Sequence, residues 1–461
     1  MSDLVTEPVN SVNRINRMPI TKVHRSIIAL IAVAYFFEFA DINTFAATAP
    51  EIRRVWGLSV DAVAYITSIS FVGMFIGSLV GGWIGDKWGR RTGLLLTTGW
   101  FSVFSLLTVF AWDGFSMGLL RFLTSAGLSA MTVIAVIYVN ELFPARVRGR
   151  YLAYAMVIGI CGTPVTTFIA SFVVPFNDDS WRLVYLWGAL GAVVFFGFRA
   201  LVESPTWLES KGREAEAEAV LAKLEQRIVA TGAALPAPAQ EIAEVRTSQG
   251  TPFRTLFQRR YAAPLIVLSL LWITQTIGFF GYSSWAPTLL ADQGFTVEKS
   301  IFYVALTTVG APLGSLLAAF LTDRIERKWL LVIVGSIIGV CGLLYGLTFS
   351  PVMIVVFGFL VNMFERGYTS LAYAYSPELF DTRTRSLGTG LTYGVGRLSN
   401  AAGPLIIAAI YTSNGYSAVF MFIAGTWFFG ALVLALFGRP TKKLRQKAGA
   451  DSTVASTAHT G

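Results

Sequence analysis

Apolar runs of about 20 residues follow one another over nearly the whole of this 461-residue chain. They fall near 26–49, 62–84, 92–111, 115–139, 151–175, 183–201, 262–290, 300–321, 329–349, 352–375, 387–411 and 417–437. As a helix, each is long enough to span a hydrocarbon core of about 30 Å. Backbone groups in lipid have to be satisfied within the protein, so spanning segments are helices or closed barrels. A barrel would show alternating segments of about ten residues, a pattern this sequence lacks. Hydrophobic residues make up 54% and charged residues 14%, against about a quarter charged in an average soluble domain. The expected fold class is therefore an all-α membrane protein of twelve transmembrane helices.

The chain also repeats itself at an offset of 237 positions. Gly73, Gly77, Ser78 and Leu79 return as Gly310, Gly314, Ser315 and Leu316, and Asp86 and Arg90 return as Asp323 and Arg327. Tyr138, Glu141, Leu142, Phe143, Arg146 and Arg148 return as Tyr375, Glu378, Leu379, Phe380, Arg383 and Arg385. Two parallel six-helix repeats with a site between them are a common plan for secondary transporters.

Net charge is +9, but its placement argues against a nucleic-acid partner. Arg14, Arg17, Lys22 and Arg25 precede the first run; Lys87, Arg90 and Arg91 follow the second; Arg146, Arg148 and Arg150 follow the fourth. Arg324, Arg327 and Lys328 follow the eighth, Arg383 and Arg385 the tenth, and Lys442, Lys443, Arg445 and Lys447 the twelfth. If the helices alternate in direction, all of these lie on one side, and the positive-inside rule puts both termini in the cytoplasm. The expected division is a cytoplasmic N-terminal segment 1–25, a bundle 26–201, a cytoplasmic linker with short helices 202–258, a second bundle 259–438 and a disordered tail 439–461. No cleavable leader is visible in the polar first 25 residues. Cys161 and Cys341 sit inside apolar runs and read as packing residues. The compact loops favour a bacterial inner membrane, and a monomer is expected.

The turn Gly82-Trp83-Ile84-Gly85-Asp86-Lys87-Trp88-Gly89-Arg90-Arg91 resembles the signature of the major facilitator superfamily, with a degenerate copy at Thr322-Asp323-Arg324-Ile325-Glu326-Arg327-Lys328. Glu141-Leu142-Phe143-Pro144 with Arg146 and Arg148, Glu203-Ser204-Pro205-Thr206-Trp207-Leu208, and Pro377-Glu378-Leu379-Phe380 with Arg383 and Arg385 resemble its sugar-porter and metabolite:proton symporter branches. The resemblance implies that Asp86, Arg90, Asp323, Arg327, Glu141, Arg148, Glu378 and Arg385 act as gate residues, with ion pairs docking the two bundles in one state and breaking in the other.

Ionisable groups inside the membrane are costly and mark function by default. Glu38 and Asp41 stand three residues apart in the first run, so they share a face. At about 1.5 Å per residue they lie about 18 and 22 Å from the start of the run, a depth similar to that of Arg121 in the fourth run. Such a group can load and release a proton, and the expected coupling set is Asp41 with Glu38 and Arg121; a structural ion pair is the alternative. Glu38-Phe39-Ala40-Asp41 and Arg121-Phe122-Leu123-Thr124-Ser125-Ala126-Gly127 are similar to motifs of aromatic acid:proton symporters. Glu38 stands where that family has Asp, Phe39-Ala40 where it has Gly-aromatic, and Ser125 where it has Gly.

Arg397 lies about 15 Å into the eleventh run. It either holds a substrate carboxylate through a bidentate pair or neutralises Glu365 of the tenth run. Arg366, next to Glu365, is expected to snorkel toward the inner surface. Gln275 near mid-depth of the seventh run suits a hydroxylated or aromatic substrate, and Tyr282, Asn362 and Tyr35 are further candidate contacts. Trp285 reads as part of the interfacial aromatic belt and His24 as a solvated interface residue. The sequence carries no zinc motif, phosphate-cradling loop or nucleophile–base pair. The reading is a non-enzymatic, cofactor-free carrier that uses a proton gradient to take up a small organic acid, aromatic or otherwise monocarboxylic. A sugar or polyol:proton symporter, a proton-coupled exporter and a non-transporting nutrient sensor are the alternatives.

Overall fold

The computed structural model describes residues 11–230, 232, 234–236, 253–321, 325–381 and 384–440, and among these helices are the only regular secondary structure. The first half contains α1 (Lys22–Trp56), α2 (Val60–Trp88), α3 (Arg90–Thr108), α4 (Gly114–Leu142), α5 (Arg148–Phe176) and α6 (Trp181–Arg199). The second contains α7 (Arg259–Asp292), α8 (Val297–Ala318), α9 (Arg327–Leu347), α10 (Pro351–Tyr375), α11 (Arg385–Asn414) and α12 (Tyr416–Phe437). Ten of these are long and apolar enough to cross a membrane. The other two, α3 and α11, have the length but carry more Gly, Ser and Thr. Asp323 and the tail beyond residue 440 lie outside the described residues.

The internal repeat has a physical meaning in the packing. Gly73, Gly77 and Gly81 of α2 lie directly on the backbone of α4 at Phe122, Ala126 and Ala130. Their repeat partners Gly310 and Gly314 of α8 lie on α10 at Phe359 and Met363. A Cβ at any of these would overlap main-chain atoms. Small residues four apart are what let two helices in lipid approach this closely. The same pairing, built twice, sets the geometry of each half.

The turns follow from local chemistry. Asp113 caps α4 by accepting from the Ser116 N–H at 2.7 Å. Hydrogen bonds from Ser116, backbone first and then side chain, hold its carboxyl below the ordinary range. Gly57 ends α1 with φ +63°, a left-handed turn that favours glycine. In α5 the helix is interrupted at Cys161, where Gly162 meets the Phe36 carbonyl of α1. Both Cys161 and Cys341 are free thiols.

Residues 203–230 form a collar at one end of the bundle. Helix Pro205–Ser210 is followed by helix Glu214–Val229, which buries Ala217, Leu221, Leu224 and Ile228. A short N-terminal helix, Ser11–Arg17, docks on it: Arg14 donates to Glu225 at 3.0 and 2.8 Å and also pairs with Glu218, and Arg17 reaches Glu225 at 2.6 Å. Two expectations are corrected. His24 is buried edge-on against Phe143, with ring centroids 5.2 Å apart, and is not a solvated residue. Trp285 is 1% exposed inside the second half and does not belong to an interfacial belt.

Candidate substrate and proton site

A cavity of about 220 Å³ lies between the two halves. Its first-half wall includes Glu38, Phe39, Phe75, Ser129 and Thr132, and its second-half wall includes Trp272, Gln275, Phe279, Arg366, Tyr393 and Arg397. Ser370 and Tyr373 of α10 extend the lining toward the collar end. The walls are aromatic and the polar groups few, the usual composition of a small-molecule site.

Arg397 bridges the seam. Its Nη1 donates to Ser129 Oγ of α4 at 3.1 Å and its Nε to Tyr393 Oη at 3.0 Å, while the guanidinium lies 4.9 Å from the Tyr393 ring centre. Glu38 lines the same cavity beside Thr132, and the Arg397 charge acts on it. Of the two expected roles for Arg397, pairing with Glu365 is not what the structure adopts. Glu365, fully buried, accepts from Gln275 Nε2 at 2.8 Å and from Thr369 Oγ1 at 2.7 Å.

Arg366 corrects another expectation: it does not snorkel to the surface. Its Nε is 3.4 Å from Glu365 Oε2, and its guanidinium lies 4.5 Å from the Phe279 ring centre and 5.6 Å from that of Phe39. Adjacent positions on a helix point in different directions, but the long Arg366 side chain curls back toward Glu365. That a second arginine sits in an apolar run was the signal to weigh, since such charges are rarely idle in lipid.

Asp41 and Glu38 separate. Asp41 turns away from the cavity to a buried ion pair with Arg121, Nη1 to Oδ2 at 2.7 Å, with Ser105 Oγ 3.4 Å from Oδ1. Tyr282 and Asn362 line a second, much smaller cavity with Asn43, Thr163, Thr167 and Thr308. Tyr35 is buried against Gly159 of α5 and lines neither cavity.

Residues 21–447 match the family model described as Sugar (and other) transporter. The chain belongs to this family of the major facilitator superfamily. Relatives span it almost end to end. YyaJ of Bacillus subtilis (strain 168), provisionally named for metabolite transport, is 41% identical over 94% of this chain and 96% of its own. The niacin transporter NiaP of Acinetobacter baylyi is 28% identical over 94% and 97%. The gallate transporter of Pseudomonas putida is 26% identical over 94% and 96%. The structure of the xylose transporter XylE from E. coli in a partially occluded inward-open conformation superimposes with a TM-score of 0.74, at 15% identity over 92% and 99% of the two chains. That likeness concerns the fold. The chain is thus a multi-pass membrane transporter and not an enzyme.

The transporter's motif residues meet within each half. Arg90 pairs with Asp86 at 2.6 Å and with Glu141 at 2.8 Å. The Glu203 carboxylate of the collar accepts the Arg90 and Arg91 backbone N–H groups at 2.7 and 3.0 Å, and Trp207 Nε1 donates to the Asp86 carbonyl at 2.9 Å. In the second half Arg327 pairs with Glu378. Arg148 donates only to the Asn140 carbonyl of its own half at 3.4 Å, and Arg385 is exposed. The network expected between the bundles is therefore, among the described residues, two networks inside them.

Ion pairs and hydrogen bonds across the seam occur midway and at the opposite end. There Arg53 of α1 pairs with Asp292 of α7, Thr167 of α5 meets Thr308 of α8 at 3.1 Å, and Phe71 of α2 packs on Phe280 of α7. Arg53 and Asp292 stand 239 residues apart, and no local sequence pattern joins them.

Proposed function

We propose that this transporter takes up a small, single-ring aromatic or related monocarboxylic acid together with protons, by alternating access across a bacterial inner membrane. The observation that carries this reading is the central cavity, where Arg397 and Arg366 face aromatic walls and Glu38 shares the space. A guanidinium recognises a carboxylate with two parallel hydrogen bonds, and an aromatic wall suits a flat ring. A neutral sugar would bring no carboxylate to the donors that either guanidinium turns to the cavity. The names of the relatives, niacin and gallate transporters among them, lean the same way.

The collar end is taken as cytoplasmic, following the basic loops, so the state described faces inward. Glu38 takes the leading coupling role, because it lines the cavity, while Asp41 and Arg121 hold α1 to α4. No cofactor is invoked, and the proton gradient supplies the energy. The test is uptake into proteoliposomes under an inward proton gradient, with nicotinate, benzoate and gallate against xylose and a polyol. Gradient-driven accumulation of at least one acid, abolished by Arg397→Ala, is expected. Accumulation of the neutral compounds alone would sink the reading.

A further inference from the structure

Arg366 is the charged residue common to two cavities. The central one extends from the middle of the molecule toward the collar end. The smaller one, whose lining includes Asn43, Thr163, Asn362 and Arg366, has the Thr167–Thr308 contact in its wall. Arg397 lines only the central cavity. Arg366 lies about 22 Å along α10 from its start, near the middle of the membrane.

Its hydrogen-bonding is incomplete. Nε has no hydrogen-bond partner, and neither has the nearest carboxylate oxygen, Glu365 Oε2, despite their 3.4 Å separation. The two Nη groups donate to no described residue, and the guanidinium rests on the faces of Phe279 and Phe39. Nε is buried without a partner, which is costly, while the two Nη groups reach the cavity space and leave their donors open. The aromatic faces offset part of that cost, and an anion would offset more.

We propose that Arg366 is the outer carboxylate-binding residue: it receives the acid group of the substrate in the outward-facing state and passes it to Arg397 in the state seen here. Opening the Thr167–Thr308 and Arg53–Asp292 contacts turns the small cavity into a vestibule, with Arg366 at its floor. Asn43, Thr163 and Asn362 supply neutral hydrogen bonds around the arriving anion. Rocking of the halves then moves Arg366 with its load to the boundary of the central cavity, where Arg397 and the Tyr393 hydroxyl complete the exchange. This rests on the acid-transport reading above and adds a direction to it.

The test uses right-side-out and inverted membrane vesicles with nicotinate as the probe and nicotinamide as its uncharged counterpart. For R366M, half-saturation for nicotinate at the outer face is expected to rise by about tenfold or more. At the cytoplasmic face it should stay within about threefold of wild type. R366K, which keeps the charge, should recover most of the outer-face affinity, which separates loss of a ligand from loss of the fold. R397M should show the opposite sidedness, with the loss at the cytoplasmic face. Equal losses at both faces in R366M and R366K, or no loss in either, overturn the assignment. So does an E365Q/R366M double variant with wild-type outer-face affinity, since Arg366 would then serve only to neutralise Glu365. If the wild-type transporter moves nicotinate at neither face while moving a neutral sugar, the acid-transport reading falls and takes this inference with it.

Discussion

Arg121 holds Asp41 twice: Nη1 reaches the carboxylate at 2.7 Å and Nη2 the backbone carbonyl at 3.1 Å, with both side chains buried between α1 and α4. Removing one partner strands the other's charge. Arg121→Ala is expected to cost about 3–5 kcal/mol, whereas replacing both, as in D41N/R121Q, should cost far less. Thermal unfolding of purified protein in detergent checks this. A double variant no more stable than Arg121→Ala would show that the pair matters through packing alone.

The division of labour between the two carboxylates of α1 is also testable. Glu38→Gln should abolish accumulation driven by a pH gradient while leaving exchange of internal for external substrate intact, because exchange needs no net proton movement. Asp41→Asn, with Arg121 still hydrogen-bonded to the amide, should retain gradient-driven accumulation. Uptake and counterflow in the same proteoliposomes measure both. Loss of coupling in Asp41→Asn with coupling retained in Glu38→Gln would return the leading role to Asp41.

What the sequence could reveal divides along a physical line. The all-helical membrane fold follows from run length and apolarity, which need no knowledge of neighbours. The Gly73, Gly77 and Gly310, Gly314 correspondence exposed the duplicated helix pairing, because close backbone approach demands glycine at fixed spacing. Glu38, Gln275 and Arg397 could be singled out because polar groups in lipid are expensive. Which groups meet was not legible. Glu38 and Asp41 differ by a rotation of about 60° on one helix, and that suffices to put one in the cavity and the other on Arg121. Spacing does not fix that rotation. The gate motifs suggested pairs between halves, but a carrier has two states, and the pairs described here are those of one of them.

The repeated glycine stripe yields a stability prediction. A methyl group at Gly77 would overlap the Ala126 carbonyl, and one at Gly314 would overlap that of Met363. Main chain cannot move aside as a side chain can, so overpacking costs about 1–3 kcal/mol or more. Gly77→Ala and Gly314→Ala should both lower the unfolding temperature. Gly82→Ala, where an added Cβ meets nothing within 4 Å, should not. Equal behaviour of all three would remove the stripe as the organiser of each half.

The docked N-terminal helix should release in acid. Burial pushes the Glu225 carboxyl up, but hydrogen bonds from Arg14 and Arg17 outweigh it and leave Glu225 below its ordinary value of 4.5. A carboxyl depressed in the docked form supports docking fully above its free value and loses that support as pH falls through the docked value. The Ser11–Arg17 helix should thus stay ordered at pH values above the ordinary 4.5 of a glutamate and loosen as pH falls below it. Fluorescence anisotropy of a dye attached near residue 12 follows this directly. Glu225→Gln should give a helix already loosened at pH 7, with a shallower profile over the same range, since Glu218 and Glu209 still hold Arg14 and Ser11.

The pair between Arg53 and Asp292 closes the end opposite the collar, and Tyr411 donates to the same aspartate at 2.9 Å. Both partners are about a quarter exposed, 25% and 22%, so solvent screens the interaction and its worth is about 0.2–1 kcal/mol. That shifts a two-state population by about 1.4- to 5-fold. Arg53→Ala should therefore increase the outward-facing fraction by this factor without unfolding the protein. A cysteine placed at Ser283, which lines the small cavity, in a background lacking Cys161 and Cys341, reports the change as faster labelling by a membrane-impermeant thiol reagent from outside. The charge swap R53D/D292R should return the rate toward wild type, because it restores the attraction while moving each charge to the other helix. If the swap labels as fast as Arg53→Ala, the pair contributes nothing to closure. The aromatic contacts of Phe71 with Phe280 and of Phe168 with Phe302, together with the Thr167–Thr308 hydrogen bond, would then carry it.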